Sequence, residues 1–308
     1  MKKVIITGAN GFIGKNLSEF LIDKDITVYA VDKEFREIDE TDSKSKKKIF
    51  IRNELVNISV LPELITDRDI DVIYHLAWDG VNPEMRNDFS KQILNISYCI
   101  ELVKAAKIIG VKRVIFLGST MEFIYNSIPI DENAIPTPQN AYGSAKVASR
   151  YLSAQLANDL GLDFIYGIVT SVYGKGREDN SVIHYTIKKL LNGEKPSLSK
   201  LEQKWDFIHI NDLVNALYLI GKCTYSKNIF PIGRGDNFPL KYYINIIRDL
   251  IDEKLPLGIG DVPYTNNQLP SSCINPQLLN LATGFVANID FETGIKEVID
   301  YYKNSYLV

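Results

Sequence analysis

Residues 7 to 14, Thr-Gly-Ala-Asn-Gly-Phe-Ile-Gly, constrain this chain more than any other stretch, because they set Gly8, Gly11 and Gly14 within seven positions directly behind the apolar run Val4-Ile5-Ile6. Glycines at a strand-to-helix turn let the backbone reverse tightly, let a pyrophosphate approach with no Cβ in the way, and let the next helix sit close on the sheet. The first turn of that helix then offers unpaired N–H groups to the anion. A glycine triplet is equally compatible with a tight loop and nothing more, so other parts of the chain must decide.

The rest of the first half supports the ligand. Short β-branched runs at 4–6, 26–31, 49–51, 72–75, 113–117 and 164–169 alternate with stretches at 16–22, 92–108 and 145–159, whose apolar residues recur every three or four positions. That alternation predicts an α/β fold, a doubly wound parallel sheet covered by helices on both faces, with ligands beyond the carboxyl ends of the strands. After Tyr173 the rhythm loosens: Gly174 and Gly176 are followed by a helical pattern at 182–191, a strand at 207–210 and a helix at 212–220. With 308 residues available, we expect a dinucleotide-binding domain over 1–172, to which a later strand is free to return, and a smaller mixed α/β lobe over 173–308.

Composition narrows the partners. A formal charge of -3 gives no electrostatic case for nucleic acid, and no run of about 20 apolar residues exists to span a bilayer. The apolar run after Met1-Lys2-Lys3 is cut too early, at Thr7 and Gly8, for a signal peptide. Cys99, Cys223 and Cys273 are odd in number and far apart, fitting neither metal nor disulfide spacing, and point to a reducing cytoplasm. The most polar stretch, 36–48, with Lys46 to Lys48 at its end, reads as a solvated loop.

Three further features carry chemistry. Asp32 lies 18 residues beyond Gly14 at the end of the second strand, where a carboxylate accepts both hydroxyls of an adenosine ribose and repels a 2′-phosphate. NAD(H) is therefore favoured, with NADP(H) still possible because Lys33 and Arg36 lie nearby. Tyr142 and Lys146 are one helical turn apart on one face, so the ammonium is expected to favour phenolate and lower the tyrosine pKa, as proton exchange with a carbonyl or alcohol requires. Such a pair also arises on helices with no catalytic purpose. Ser119, at the carboxyl end of the fifth strand, can share a hydrogen bond with the oxygen on which Tyr142 acts, or cap the next helix.

In order and spacing, Thr7-Gly8-x-x-Gly11-x-x-Gly14, Asp32, His75-Leu76-Ala77, Ser119 and Tyr142-x-x-x-Lys146 resemble the extended short-chain dehydrogenase/reductases, specifically the NAD-dependent epimerase/dehydratase family acting on nucleotide sugars. The likeness covers essentially the whole chain. Ser171 to Gly176 is similar to that family's Asn-Val-Tyr-Gly-Pro-Gly, and Trp205 to Leu213 to its Arg-Asp-Phe-Ile-His-Val-Asp-Asp-Val. The resemblance implies a Rossmann-like fold, Ser119, Tyr142 and Lys146 as catalytic residues, and hydride exchange between nicotinamide and a sugar carbon. It implies a cofactor site built from Gly8, Asn10, Gly11, Phe12, Ile13, Gly14, Asp32, Glu54, Leu55, Leu76, Ala77 and Asn95, together with Tyr142 and Lys146. It also implies a nucleotide-diphosphate sugar as substrate and a homodimer paired through the Tyr-x-x-x-Lys helix and the one before it.

Departures from the family pattern select among its reactions. Dehydratases resemble one another in Thr-Asp-Glu, where this chain has Ser119-Thr120-Met121-Glu122; Met121 cannot donate a proton. "GSTMEF" is most similar to ketoreductases of 4-keto-6-deoxy nucleotide sugars, which makes ketone reduction at C4 the favoured reading and 4-epimerisation the alternative. Trp205 replaces an arginine that clamps the substrate diphosphate in similar epimerases; Lys188, Lys189, Lys200 and Lys204 are candidate substitutes. Trp78, Thr120, Glu122, Ser171 and Trp205 are the expected substrate contacts, with a solvated loop carboxylate as the other reading of Glu122. His75 and His209 are expected to be structural and His184 to lie at the surface. No metal site is expected.

Overall fold

Val4, Ile5 and Ile6 are all fully buried, as side chains must be in a strand covered on both faces. In the computed structural model, which describes residues 1–35, 47–123, 129–177, 181–264 and 271–306, they lie in β1 (Lys3–Thr7), and the glycine turn leads into α1 (Phe12–Asp23). Then follow β2 (Thr27–Asp32), β3 (Lys48–Arg52), α2 (Leu61–Leu64), β4 (Val72–His75), α3 (Phe89–Ile109), β5 (Arg113–Ser119), α4 (Ala141–Asp159) and β6 (Asp163–Val169). Shorter pieces come next: β7 (Ser171–Tyr173), α5 (Val182–Leu191), β8 (Ser197–Leu198), β9 (Lys204–Trp205), β10 (Phe207–His209), α6 (Ile210–Lys222) and β11 (Ile229–Ile232). The chain continues through β12 (Phe238–Pro239), α7 (Leu240–Asp252), β13 (Gly258–Ile259), β14 (Ser271–Ser272), α8 (Gln277–Thr283) and α9 (Phe291–Tyr306).

Seven parallel strands form the central sheet in the order β11-β6-β5-β4-β1-β2-β3, giving a Rossmann-like fold. The winding reverses between β1 and β4, and that switch point opens a crevice at the carboxyl ends of the strands. Register places the functional segments there: Thr7 pairs with Val31 on one side and His75 on the other. Asp32 and Leu76 each stand one residue beyond that row. Ser119, paired with Val169, ends β5 on the same side of the sheet.

Each face has its own apolar layer. On one, Leu17 and Leu21 of α1 meet Leu213, Leu217 and Ile220 of α6; on the other, Leu102, Ala106 and Ile109 of α3 cover Ile5, Ile73 and Val114. A third cluster joins α5, α7 and α9 through Ile187, Tyr243, Ile247 and Ile299, beside the small β10–β7, β12-β9-β14 and β13–β8 sheets. The chain after residue 173 thus does two things. α6 packs on α1, and β11 pairs with β6 in the central sheet, while α5, α7 and α9 build a separate core.

Helices begin earlier than apolar periodicity alone indicates, because their first turns are set by polar caps. Asp88 accepts the Lys91 N–H at 3.0 Å and starts α3; Asn140 accepts the Gly143 N–H at 2.8 Å and starts α4. His184, expected at the surface, is 1% exposed: its α5 face turns inward and the ring packs 5.9 Å from Tyr302. Residues 36–46 of the polar stretch, with Arg36 and Lys46, lie outside the described residues, while Lys47 pairs with Asp25. The three cysteines are buried thiols, and among the described residues no helix is long and apolar enough to cross a membrane.

Candidate active site

The three glycines have separate reasons. Gly8 adopts φ +72°, and a Cβ there would stand 2.7 Å from the Ala77 backbone nitrogen; one on Gly14 would stand 2.1 Å from the Gly8 carbonyl oxygen. Both are therefore demanded by the packing of the chain on itself. Gly11 is exposed, and the nearest atom to its Cβ would be that same oxygen at 3.2 Å, so its open side is turned to whatever arrives from outside. Gly11 is also the N-cap of α1 and supplies no side-chain cap, which leaves the helix's first N–H groups for an anion. Phe12 and Ile13 form that first turn, their side chains half-buried against the apolar layer beneath.

Beyond the turn lies a cleft of about 540 Å³, large enough for a nucleotide. Gly8, Asn10, Gly11 and Asp32 line one wall, Glu54 and Leu55 a second, and Leu76, Ala77 and Trp78 a third. The two Asp32 oxygens accept the Asn10 and Lys33 N–H groups, each at 2.8 Å, which fixes the carboxylate and leaves further lone pairs for hydroxyl donors. His75 is the packing residue expected: Nδ1 meets Thr7 Oγ1 at 2.7 Å, Nε2 meets Cys99 Sγ at 3.5 Å, and burial pushes its pKa down to about 3. A ring neutral across that range is no general acid at neutral pH.

The proposed triad is brought together beside Trp78, which lines the cleft. Tyr142 is on the first turn of α4, with Ser119 within hydrogen-bonding reach; the edge of Trp78 lies against it, ring centroids 5.9 Å apart. Lys146 Nζ donates to the Leu117 carbonyl at 2.9 Å and sits 5.8 Å from the Tyr142 ring centroid. The electrostatics correct one expectation. Burial, aided by the charge of Glu122, pushes the Tyr142 pKa up to about 12, and Arg86 and Ser119 pull the other way without prevailing. Burial also lowers Lys146 to about 8, so the ammonium does not dominate the phenol in the ligand-free molecule. Tyr142 is therefore a protonated phenol at neutral pH. Of the two roles open to Ser119, the cap is the one visible here: its hydroxyl accepts the Met121 N–H at 3.2 Å and caps the short turn 120–122, while staying within reach of Tyr142.

Glu122 departs from both expected roles. It is fully buried behind Ser119, neither loop-exposed nor turned to a substrate; its Oε1 accepts the Ser119 N–H at 2.8 Å and the Tyr166 hydroxyl at 2.7 Å. Arg150 lies 3.8 Å away, and burial holds the carboxyl above the usual range. The cause is the capping box of the 120–122 turn, which points the Glu122 side chain back at the Ser119 N–H. Thr120 is likewise buried, its hydroxyl accepting from Ser272 at 2.9 Å, and is closed to a substrate. Asn95, 1% exposed, accepts the Asp79 N–H and donates to the Asp79 and Lys91 carbonyls; it fixes the loop after β4 and does not face the cleft. Ser171 and Trp205 are half-buried and joined to one another, Trp205 Nε1 donating to Ser171 Oγ at 2.9 Å. Of the candidate clamps, Lys189 pairs with Glu194, Lys188 lies over Tyr302, and Lys200 and Lys204 are exposed.

Sequence reasoning missed Gln92, Arg150 and Tyr166. Arg150 left a signal, standing four residues beyond Lys146 on the face that carries Tyr142. Tyr166 is one aromatic in a buried strand and left none.

Comparison with known proteins agrees with this geometry. A model of the NAD dependent epimerase/dehydratase family matches residues 4–233. A dTDP-4-dehydro-6-deoxyglucose reductase of Escherichia coli is 26% identical over 276 residues, 85% of this chain and 86% of the relative. A UDP-glucuronate 4-epimerase of Thermodesulfobacterium geofontis is 26% identical over 321 residues, 98% and 96% of the two chains. Among solved structures, the UDP-glucuronic acid 4-epimerase of Bacillus cereus, in complex with UDP-glucuronic acid and NAD, superposes with a TM-score of 0.84 at 21% identity, covering 99% of this chain and 100% of that one.

Proposed function

Because the chain belongs to the NAD-dependent epimerase/dehydratase family, we propose that it is a reductase of a 4-keto-6-deoxy nucleotide sugar, with hydride transfer at sugar C4 and Tyr142 as proton donor. The observation that carries this reading is the surroundings of Ser119 and Tyr142: Glu122 is fully buried behind Ser119 and engaged by the Ser119 N–H and the Tyr166 hydroxyl, which leaves the Tyr142 phenol as the acid beside Ser119. A proton donor suits ketone reduction. Epimerisation must begin by taking a proton from a sugar hydroxyl, and dehydration needs an exposed acid and base. The reductase relative supports the same choice. The epimerase relative supports the second reading, 4-epimerisation, which the same triad can serve.

When bound, the nicotinamide supplies the hydride. The glycine turn and the α1 N-terminus hold the pyrophosphate, Asp32 accepts the adenosine ribose hydroxyls, and Glu54 and Leu55 border the adenine. Asp32 favours NAD(H) by repelling a 2′-phosphate, with exposed Lys33 as the counterweight. Lys146 grips the nicotinamide ribose, Ser119 polarises the ketone oxygen, and Tyr142 gives that oxygen its proton as the carbon is reduced. Trp78, Ser171 and Trp205 border the sugar, and the lobe built on α5, α7 and α9 closes over the nucleotide. Two chains pair through α3 and α4: Phe89, Ile93, Leu94, Tyr151 and Leu152 are each at least half exposed there, an apolar surface that a second copy would cover.

The test is to supply purified protein with NADH and a panel of 4-keto-6-deoxy nucleotide sugars while following absorbance at the nicotinamide band. Sugar-dependent oxidation is expected. Interconversion of C4 epimers without net oxidation would replace the reductase by the epimerase.

A further inference from the structure

We infer that Trp78 is a positioning residue for Lys146: its indole face, pinned through Gln92, holds the buried ammonium charged and in place beside the cofactor cleft. This rests on the reading of Lys146 as the group that grips the nicotinamide ribose. The centroid of the indole lies 3.7 Å from Lys146 Nζ, close for a cation over an aromatic face. The ring is not loose. Its N–H donates to Gln92 Oε1 at 2.9 Å, and Gln92, 1% exposed, donates its own amide protons to the Gly80 and Met85 carbonyls at 3.0 and 3.3 Å. Gly80, at φ +81°, is needed for this arrangement, since a Cβ there would stand 3.0 Å from Gln92 Nε2. One indole therefore lines the cleft, abuts Tyr142 and covers Lys146.

The need for such a partner follows from what surrounds the ammonium. Lys146 is 8% exposed, and burial works against its charge. From the neighbouring elements it faces Glu122 on the turn after β5, Cys99 on α3, neutral His75 on β4 and protonated Tyr142 on its own helix. The Glu122 carboxylate is already engaged by Tyr166 and the Ser119 N–H, and the Cys99 thiol is pushed up to about 12 and so uncharged at neutral pH. Beside the Leu117 carbonyl, the indole is the partner in direct contact with the ammonium. Removing it should lower the Lys146 pKa by about one unit.

The chain has two tryptophans, so Trp205→Phe leaves Trp78 as the single tryptophan, and excitation at the red edge of indole absorption avoids the 17 tyrosines. In that variant without ligand, emission should titrate with a midpoint near 8, and adding Lys146→Met should abolish the transition. The pH dependence of the NAD dissociation constant is then measured in otherwise unaltered protein: Trp78→Leu should move its alkaline limb down by about one pH unit, and Trp78→Phe should leave it close to the parent. An unmoved limb in Trp78→Leu, or emission with no transition that Lys146→Met removes, overturns the assignment. Failure of the proposed reaction gives a different pattern: the emission transition and the shifted limb persist while no 4-keto-6-deoxy nucleotide sugar drives NADH oxidation.

Discussion

Gly14→Ala puts the glycine turn to a quantitative test. The new Cβ would stand 2.1 Å from the Gly8 carbonyl oxygen and 2.7 Å from the Ala9 Cα, against 3.4 Å for ordinary contact, so the turn and the helix must separate by roughly 1.3 Å. Both neighbours are backbone and cannot rotate aside. Overpacking of this kind costs about 3 kcal/mol, or roughly 5 °C of Tm for a chain of 308 residues. Displacing the Gly8–Gly11 segment also weakens two or so N–H contacts to a pyrophosphate at about 1 kcal/mol each, a 10- to 100-fold loss of NAD affinity. Gly161→Ala is the control: φ is +67° there and nothing lies within 4 Å of the added Cβ. It should cost about 1 kcal/mol through backbone strain alone and leave NAD binding unchanged. Calorimetric melting and isothermal titration with NAD read both quantities. If Gly14→Ala binds NAD as the parent does and melts at the parent's temperature, close packing of the turn on the helix is not what shapes the anion site.

Asp32→Ser should raise the ratio of NADPH to NADH affinity about tenfold, because a charge repelling the 2′-phosphate across a few ångströms of partly screened cleft is gone; an unchanged ratio in a titration would detach Asp32 from cofactor choice. Asp206 is fully buried, and its pKa is raised to about 7, chiefly by burial, from an ordinary value of 3.8. A raised folded-state value means stability that is complete below about 3.9 and is lost as pH rises through about 7, some 4 kcal/mol in all. In Asp206→Asn that decline should be absent from urea denaturation measured between pH 4 and 8, and a parent whose stability does not fall over this range would refute it. Leu152→Glu, on the exposed face of α4, should convert the expected dimer to monomer in light scattering, and a parent that is already monomeric contradicts the pairing.

The sheet was readable in the sequence because its inner strands are buried on both faces and so appear as short runs without polar alternation, as at Val4 to Ile6 and Val72 to Tyr74. Helix starts were not, since Asp88 and Asn140 act through polar caps outside the apolar period. The site divided in the same way. Asp32, Ser119, Tyr142 and Lys146 all lie on the carboxyl side of the sheet because each occupies a strand end or one of the first two turns of a helix there, positions that the alternation of elements specifies. Side-chain direction was beyond that reasoning: only the 120–122 turn shows that Glu122 points back at Ser119, and only the packing of Gln92 shows why Trp78 lies over Lys146. The phenol's charge state was misjudged for a physical reason. Spacing reports the ammonium one turn away, whereas burial of the ring, which raises the pKa, is a tertiary property.

The most direct test of the account is Tyr142→Phe, assayed for sugar-dependent NADH oxidation and for NADH affinity in the same preparation. Loss of a positioned proton donor should reduce turnover by about 10²- to 10⁴-fold while the affinity stays within twofold, because Asp32 and the glycine turn are untouched. A variant that retains most of its turnover would show that the phenol beside Ser119 is not the group that protonates the ketone oxygen.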